Sequence, residues 1–130
     1  MKRILFALAA VAAASAVVVH ADAGHDHADH DAVPEGTVTL KGEIIDISCY
    51  VRHESRGPKH VKCATFCATK GMPFGFLEAE TGRIYLLLPD GHADPTKDLG
   101  EYFGKQVQAT GILTEAVGLT GLQIATVTPL

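Results

Sequence analysis

The chain has 130 residues, with 11 basic and 15 acidic residues, seven histidines, three cysteines and a net charge of −4. That is room for one domain, and the acidic balance does not suit a protein that binds nucleic acid. Three cysteines cannot all pair within one chain, so at least one thiol is left over.

The N-terminus reads as an export signal. Lys2-Arg3 supplies the positive charge, and Ile4 to Val19 is apolar and uncharged. Val19-His20-Ala21 and Ala21-Asp22-Ala23 are small-x-small cleavage sites. The apolar run falls short of the roughly 18–20 residues that span a bilayer. Residues 1–23 are therefore expected to be removed, leaving no stable membrane insertion; an uncleaved anchor is the alternative. No cysteine directly follows the run, which argues against a lipoprotein. The mature chain is expected to be periplasmic or secreted, where thiols pair or bind metal. Beyond residue 23, which leaves out Lys2, Arg3 and Asp22, nine basic and fourteen acidic residues give −5. The charge is segregated: within residues 50–70, Arg52, Arg56, Lys59, Lys62 and Lys70 face a single acid, Glu54.

Residues 24–36, GHDHADHDAVPEG, have too little apolar surface for a core and read as a flexible tail. His25, His27 and His30 alternate with Asp26, Asp29 and Asp31. Imidazole binds Cu(II), Ni(II) and Zn(II), and neighbouring carboxylates attract the cation. A solvated acidic linker is the plainer reading. Cleavage after Ala23 would let the terminal amine and His25 share a copper ion.

Thr37 to Val51 gives the longest strand signal. Val38, Leu40 and Ile44 share one parity; Ile45, Ile47, Cys49 and Val51 share the other. A phase slip beside Gly42 predicts a bulge or sharp bend, and it aims Cys49 inward. Arg52 to Pro58 is a polar loop broken by Gly57-Pro58. Lys59 to Lys70 is the best helix candidate, ended by Gly71, with Met72-Pro73 blocking continuation. Phe74–Glu80 and Arg83–Leu88 flank Thr81-Gly82 and predict a hairpin. Asp94-Pro95 predicts a capped short helix through Tyr102, ended by Gly104. Lys105–Glu115 and Leu119–Val127 predict the last hairpin, in which Val107…Gly111 repeats the spacing of Val38…Gly42.

The sum is a mainly β domain over residues 37–130. It is a small five-stranded OB-like barrel, with an inserted Cys-containing helix after strand 1 and a short helix between strands 3 and 4. The segments Gly42-Glu43-Ile44-Ile45-Asp46…Cys49-Tyr50, His60-x-x-Cys63-x-x-x-Cys67-x-x-x-Gly71-x-Pro73 and Gly104-Lys105-x-Val107…Gly111 carry a resemblance to small exported bacterial proteins with an OB-like domain. The resemblance spans roughly residues 37–128. It implies a fold and a compartment, and it implies no activity.

The chemistry concentrates in residues 46–71. On a helix, His60, Cys63 and Cys67, spaced i, i+3 and i+7, share one face. With Cys49 they make a Cys3His set suited to Zn(II), or to Cu(I) on three thiolates, and Lys59 and Lys62 are expected to lower the thiol pKa values. The competing reading is a disulfide from Cys49 to Cys63 or Cys67, which closes a loop of about 15 residues for about 3 kcal/mol. An inward His60 favours the metal; a solvent-facing His60 favours the staple. There is no C-x-x-C, no phosphate loop and no nucleophile elbow. Glu43 and Asp46 read as solvated strand carboxylates, His92 as a surface turn residue and Met72 as packing at the helix end. The expected function is non-catalytic binding of copper or zinc, with the metal ion as ligand and a metal donor or acceptor protein as partner. The rival is a disulfide-stapled module for a protein, peptide or small anion.

Overall fold

A computed structural model describes residues 36–130. The export signal and His25, His27 and His30 lie outside the described residues. Five strands alternate with short helical pieces. They are β1 (Thr37–Asp46), β2 (Phe74–Glu78), β3 (Ile84–Leu87), β4 (Gln106–Ala116) and β5 (Leu119–Pro129). Between β1 and β2 lie α1 (Ile47–His53), a 3₁₀ turn (Pro58–His60) and α2 (Val61–Ala68). The sheet closes in a ring in the order β1-β2-β3-β5-β4 and back to β1. The pairs are antiparallel except for β3 and β5, which run parallel. No helix among the described residues is long and apolar enough to cross a membrane.

Strand β1 closes the ring because it serves two partners. Its first part pairs with β4, from Thr37↔Ile112 to Glu43↔Gln106, and its last part with β2, from Gly42↔Glu78 to Asp46↔Phe74. Gly42 sits where the two pairings overlap. A Cβ there would lie 2.1 Å from the Leu77 carbonyl oxygen, so only glycine lets the strands approach. The predicted bulge beside Gly42 is not found, because the pairing with β2 runs without a break across Ile44 and Ile45. The apparent phase slip has another cause: both isoleucines are buried, at 1% and 2% exposure, so both faces of this stretch are covered. The register shift lies instead in β4, between Thr110 and Gly111.

The core inside the ring joins Ile44, Phe74, Phe76, Tyr85, Leu87, Val107, Ala109 and Leu122, with Phe103 stacked on Phe74 at 5.0 Å between ring centroids. Ala64 of α2 belongs to this core, and Val61, Cys67 and Ala68 pack against it. Ile45 and Leu77 are buried but stand outside that cluster, on the side of the sheet that α1 contacts.

Three boundaries differ from the sequence reading. The first strand stops at Asp46 rather than Val51, and Cys49 stands on a helix. The predicted helix over Lys59–Lys70 is a 3₁₀ turn followed by α2, with Gly71 at φ +67° just beyond its C-terminal turn. The short helix between strands 3 and 4 shrinks to a 3₁₀ turn at Gly100–Tyr102. The Asp94 side chain does accept the Thr96 N–H at 2.8 Å, but this closes a turn and starts no helix.

Candidate metal centre

The site begins at the last residue of β1. Asp46 caps α1, its Oδ1 accepting the Cys49 backbone N–H at 3.1 Å. The Ile47 N–H donates to the Pro73 carbonyl at 3.1 Å, tying the start of the insert to its end. No residue of α1 is fully buried, so capping rather than burial holds this short helix. Cys49 lies in its first turn.

His60 and the other two cysteines arrive through the next loop. The Gly57 N–H donates to Glu43 Oε1 at 2.5 Å, and the His60 N–H to the Gly57 carbonyl at 2.9 Å. Glu43 is therefore not the solvated carboxylate expected from the sequence: it is 5% exposed and anchors this loop. Gly104 makes room for the anchorage, since a Cβ there would lie 2.8 Å from the Gly57 carbonyl oxygen. Cys63 and Cys67 follow one turn apart on α2, Cys63 exposed and Cys67 half-buried.

The Sγ atoms of Cys49, Cys63 and Cys67 lie within 4.8 Å of one another. All three cysteines are free, so the staple from Cys49 to Cys63 or Cys67 is absent. A second group, Asp46, Cys49 and His60, meets the same distance and shares Cys49. The expected Cys3His set is thus divided into two overlapping triads. His60 points inward: its Nε2 is buried and has no hydrogen-bond partner. That orientation is the one the metal reading requires.

Asp46 is the ligand candidate that sequence reasoning missed. It is 0% exposed, and its Oδ2 has no hydrogen-bond partner. A signal was present. Asp46 precedes Ile47, Tyr50 and Val51 at i, i+3, i+4 spacing, with Arg52-His53 closing the turn, which is the pattern of a capped helix. The strict alternation through Ile45, Ile47, Cys49 and Val51 masked it.

The titrating groups act on one another. Burial raises the Asp46 carboxyl, but the Cys67 thiol, the Cys49 backbone N–H and thiol and the Ser48 N–H outweigh burial and hold it below its ordinary value. The same contacts act in reverse on the thiols. The Asp46 carboxylate first, then burial, push Cys49 up to about 11 and Cys67 up to about 12. The expected lowering of thiol pKa by Lys59 and Lys62 is therefore overturned at these two cysteines. Protonated thiols are poor nucleophiles, and a metal bound by them would displace their protons.

Elsewhere, His53 and His92 are exposed, His92 as expected, and Met72 at the helix end is 39% exposed. Neither histidine joins a metal-competent group among the described residues. No protein-family model, curated protein or solved structure matches this chain.

Proposed function

We propose that this protein is an exported, non-catalytic binder of a soft transition metal, Cu(I) or Zn(II), held by the thiolates of Cys49, Cys63 and Cys67. One observation carries the reading: three free thiols from two separate helices converge within 4.8 Å, beside an unpartnered buried histidine nitrogen. Thiols brought together without bonding are a soft, electron-rich donor set. Cys63 is exposed, so an ion can enter and leave by ligand exchange at that sulfur. This suits storage or handover to a partner protein.

The scaffold is best read as an OB-type ring, supported by five strands closed in the order β1-β2-β3-β5-β4 with a single parallel pair. Export to the periplasm or outside the cell is supported by Lys2-Arg3 and the apolar run from Ile4 to Val19. His25, His27 and His30 would bind further ions loosely.

The test is a titration of the purified, reduced protein with Co(II) as a spectroscopic substitute for Zn(II), and with Cu(I) under anaerobic conditions. Thiolate-to-metal charge-transfer absorption should grow with added metal, and Cys63→Ser and Cys67→Ser should each weaken binding by more than about tenfold. Absence of that absorption, or full-strength binding in both serine variants, would sink the proposal.

A further inference from the structure

We infer that the site is built for two metal ions that share the Cys49 thiolate, the second ion being held by Asp46, Cys49 and His60. The inference rests on the metal-binding reading above and adds to it a second site and its ligands.

The geometry supplies two triads, not one tetrahedron. Cys49, Cys63 and Cys67 form the first; Asp46, Cys49 and His60 form the second; each is closed within 4.8 Å. Cys49 alone belongs to both. A thiolate sulfur carries more than one lone pair and can bridge two cations.

Two further observations point to a ligand at the second triad. Asp46 is 0% exposed, yet its Oδ2 has no partner. His60 Nε2 is also buried without a partner. A buried polar atom left unpaired typically costs about 1–3 kcal/mol, so native structures rarely carry two in one place. Neither Asp46 nor His60 is grouped with Cys63 and Cys67 within 4.8 Å. An ion at the second triad satisfies both at once.

Each thiol that binds an ion gives up its proton to solvent. Zn(II) accepts both donor sets, since it binds sulfur, imidazole nitrogen and carboxylate oxygen alike. Each ion then has three protein ligands, and its fourth position is open to water or to a ligand from a partner.

The experiment uses the full chain with His25→Ala, His27→Ala and His30→Ala, so that the tail does not contribute ions. Zn(II) is the probe, and bound equivalents are counted by native mass spectrometry. The parent should hold two. His60→Ala should hold one, and so should Asp46→Asn, which keeps a good helix cap while weakening the oxygen ligand. Cys63→Ser should lose the thiolate-side ion and keep the other. One equivalent in the parent and in His60→Ala alike would overturn the second site while leaving the thiolate site standing. Two equivalents in both would also overturn it, by moving the second ion elsewhere. No zinc in the parent would overturn both proposals together.

Discussion

The strand ring and the helical insert between β1 and β2 are built on different principles. In the ring, β2 is buried at every position from Phe74 to Glu78, and Phe76 and Val107 are 0% exposed. In the insert, α1 buries no residue fully and α2 buries only Ala64, while Val51 and Phe66 are 69% and 61% exposed. The ring is held by apolar burial and continuous strand pairing. The insert is held by the seating of α2 through Ala64, Val61 and Ala68 and by a few polar ties: the Asp46 cap, the Ile47–Pro73 bond and the Glu43 carboxylate on Gly57. A segment with so little core of its own gains most from a ligand that joins its ends. All three sulfurs lie in that segment, and Asp46 stands at its junction with the ring.

The largest effect should come from opening the ring. Phe76→Ala removes a fully buried aromatic side chain and is expected to lower stability by about 3–5 kcal/mol in urea denaturation, on the scale of large-to-small core changes. A loss below about 1 kcal/mol would mean the ring is not the stable unit. Loading the metal comes next. Zn(II) in solution at a hundred times its Kd should raise global stability by about 2.7 kcal/mol, provided the unfolded chain does not bind it. Hydrogen exchange should slow mainly at amides of α1 and α2. Slowing spread evenly over β4 and β5 would contradict the division between the two regions.

Alkaline pH tests a titrating group inside the ring. Tyr85 lies in the ring, 5% exposed, and its hydroxyl donates to Glu78 Oε2 at 3.0 Å. Burial first, then the hydrogen bond and charge of Glu78, push its pKa up, with Arg83 opposing. A raised folded-state pKa means that the protonated form is favoured by folding. Its contribution is complete below about pH 10, the unfolded value, and is lost as pH rises through the folded value. In a metal-free comparison, Tyr85→Phe should flatten the alkaline fall in stability; an unchanged slope would remove Tyr85 as its source. The smallest change is expected in the insert. Phe66→Ala removes an exposed ring with Lys70 Nζ 5.4 Å from its centroid, and should cost within about 0.5–1 kcal/mol. A loss as large as that of Phe76→Ala would show that the insert carries core weight.

Most of the fold was legible because period-2 patterning and turn residues are local signals. Thr81-Gly82 marks the turn between β2 and β3, and the alternation of Val107 and Ala109 marks the inward face of β4. The insert was harder to read. Ile45, Ile47, Cys49 and Val51 fit a strand as well as Ile47, Tyr50 and Val51 fit a helix, and local pattern alone does not choose between them. The choice falls to Asp46, whose carboxylate caps the helix where β1 runs out of pairing with β2 at Phe74.

The sequence by itself determined a mainly β chain with one Cys-bearing insert, and it singled out Cys49, His60, Cys63 and Cys67 by residue type and spacing. Only the tertiary structure decided that the thiols meet without bonding, that His60 turns inward beside Cys49, and that Asp46 is buried among them. The physical reason is separation along the chain. Asp46 and Cys67 are brought together by a turn of α1, an anchored loop and the seating of α2 on the ring, and none of these is encoded in the spacing of the residues they unite.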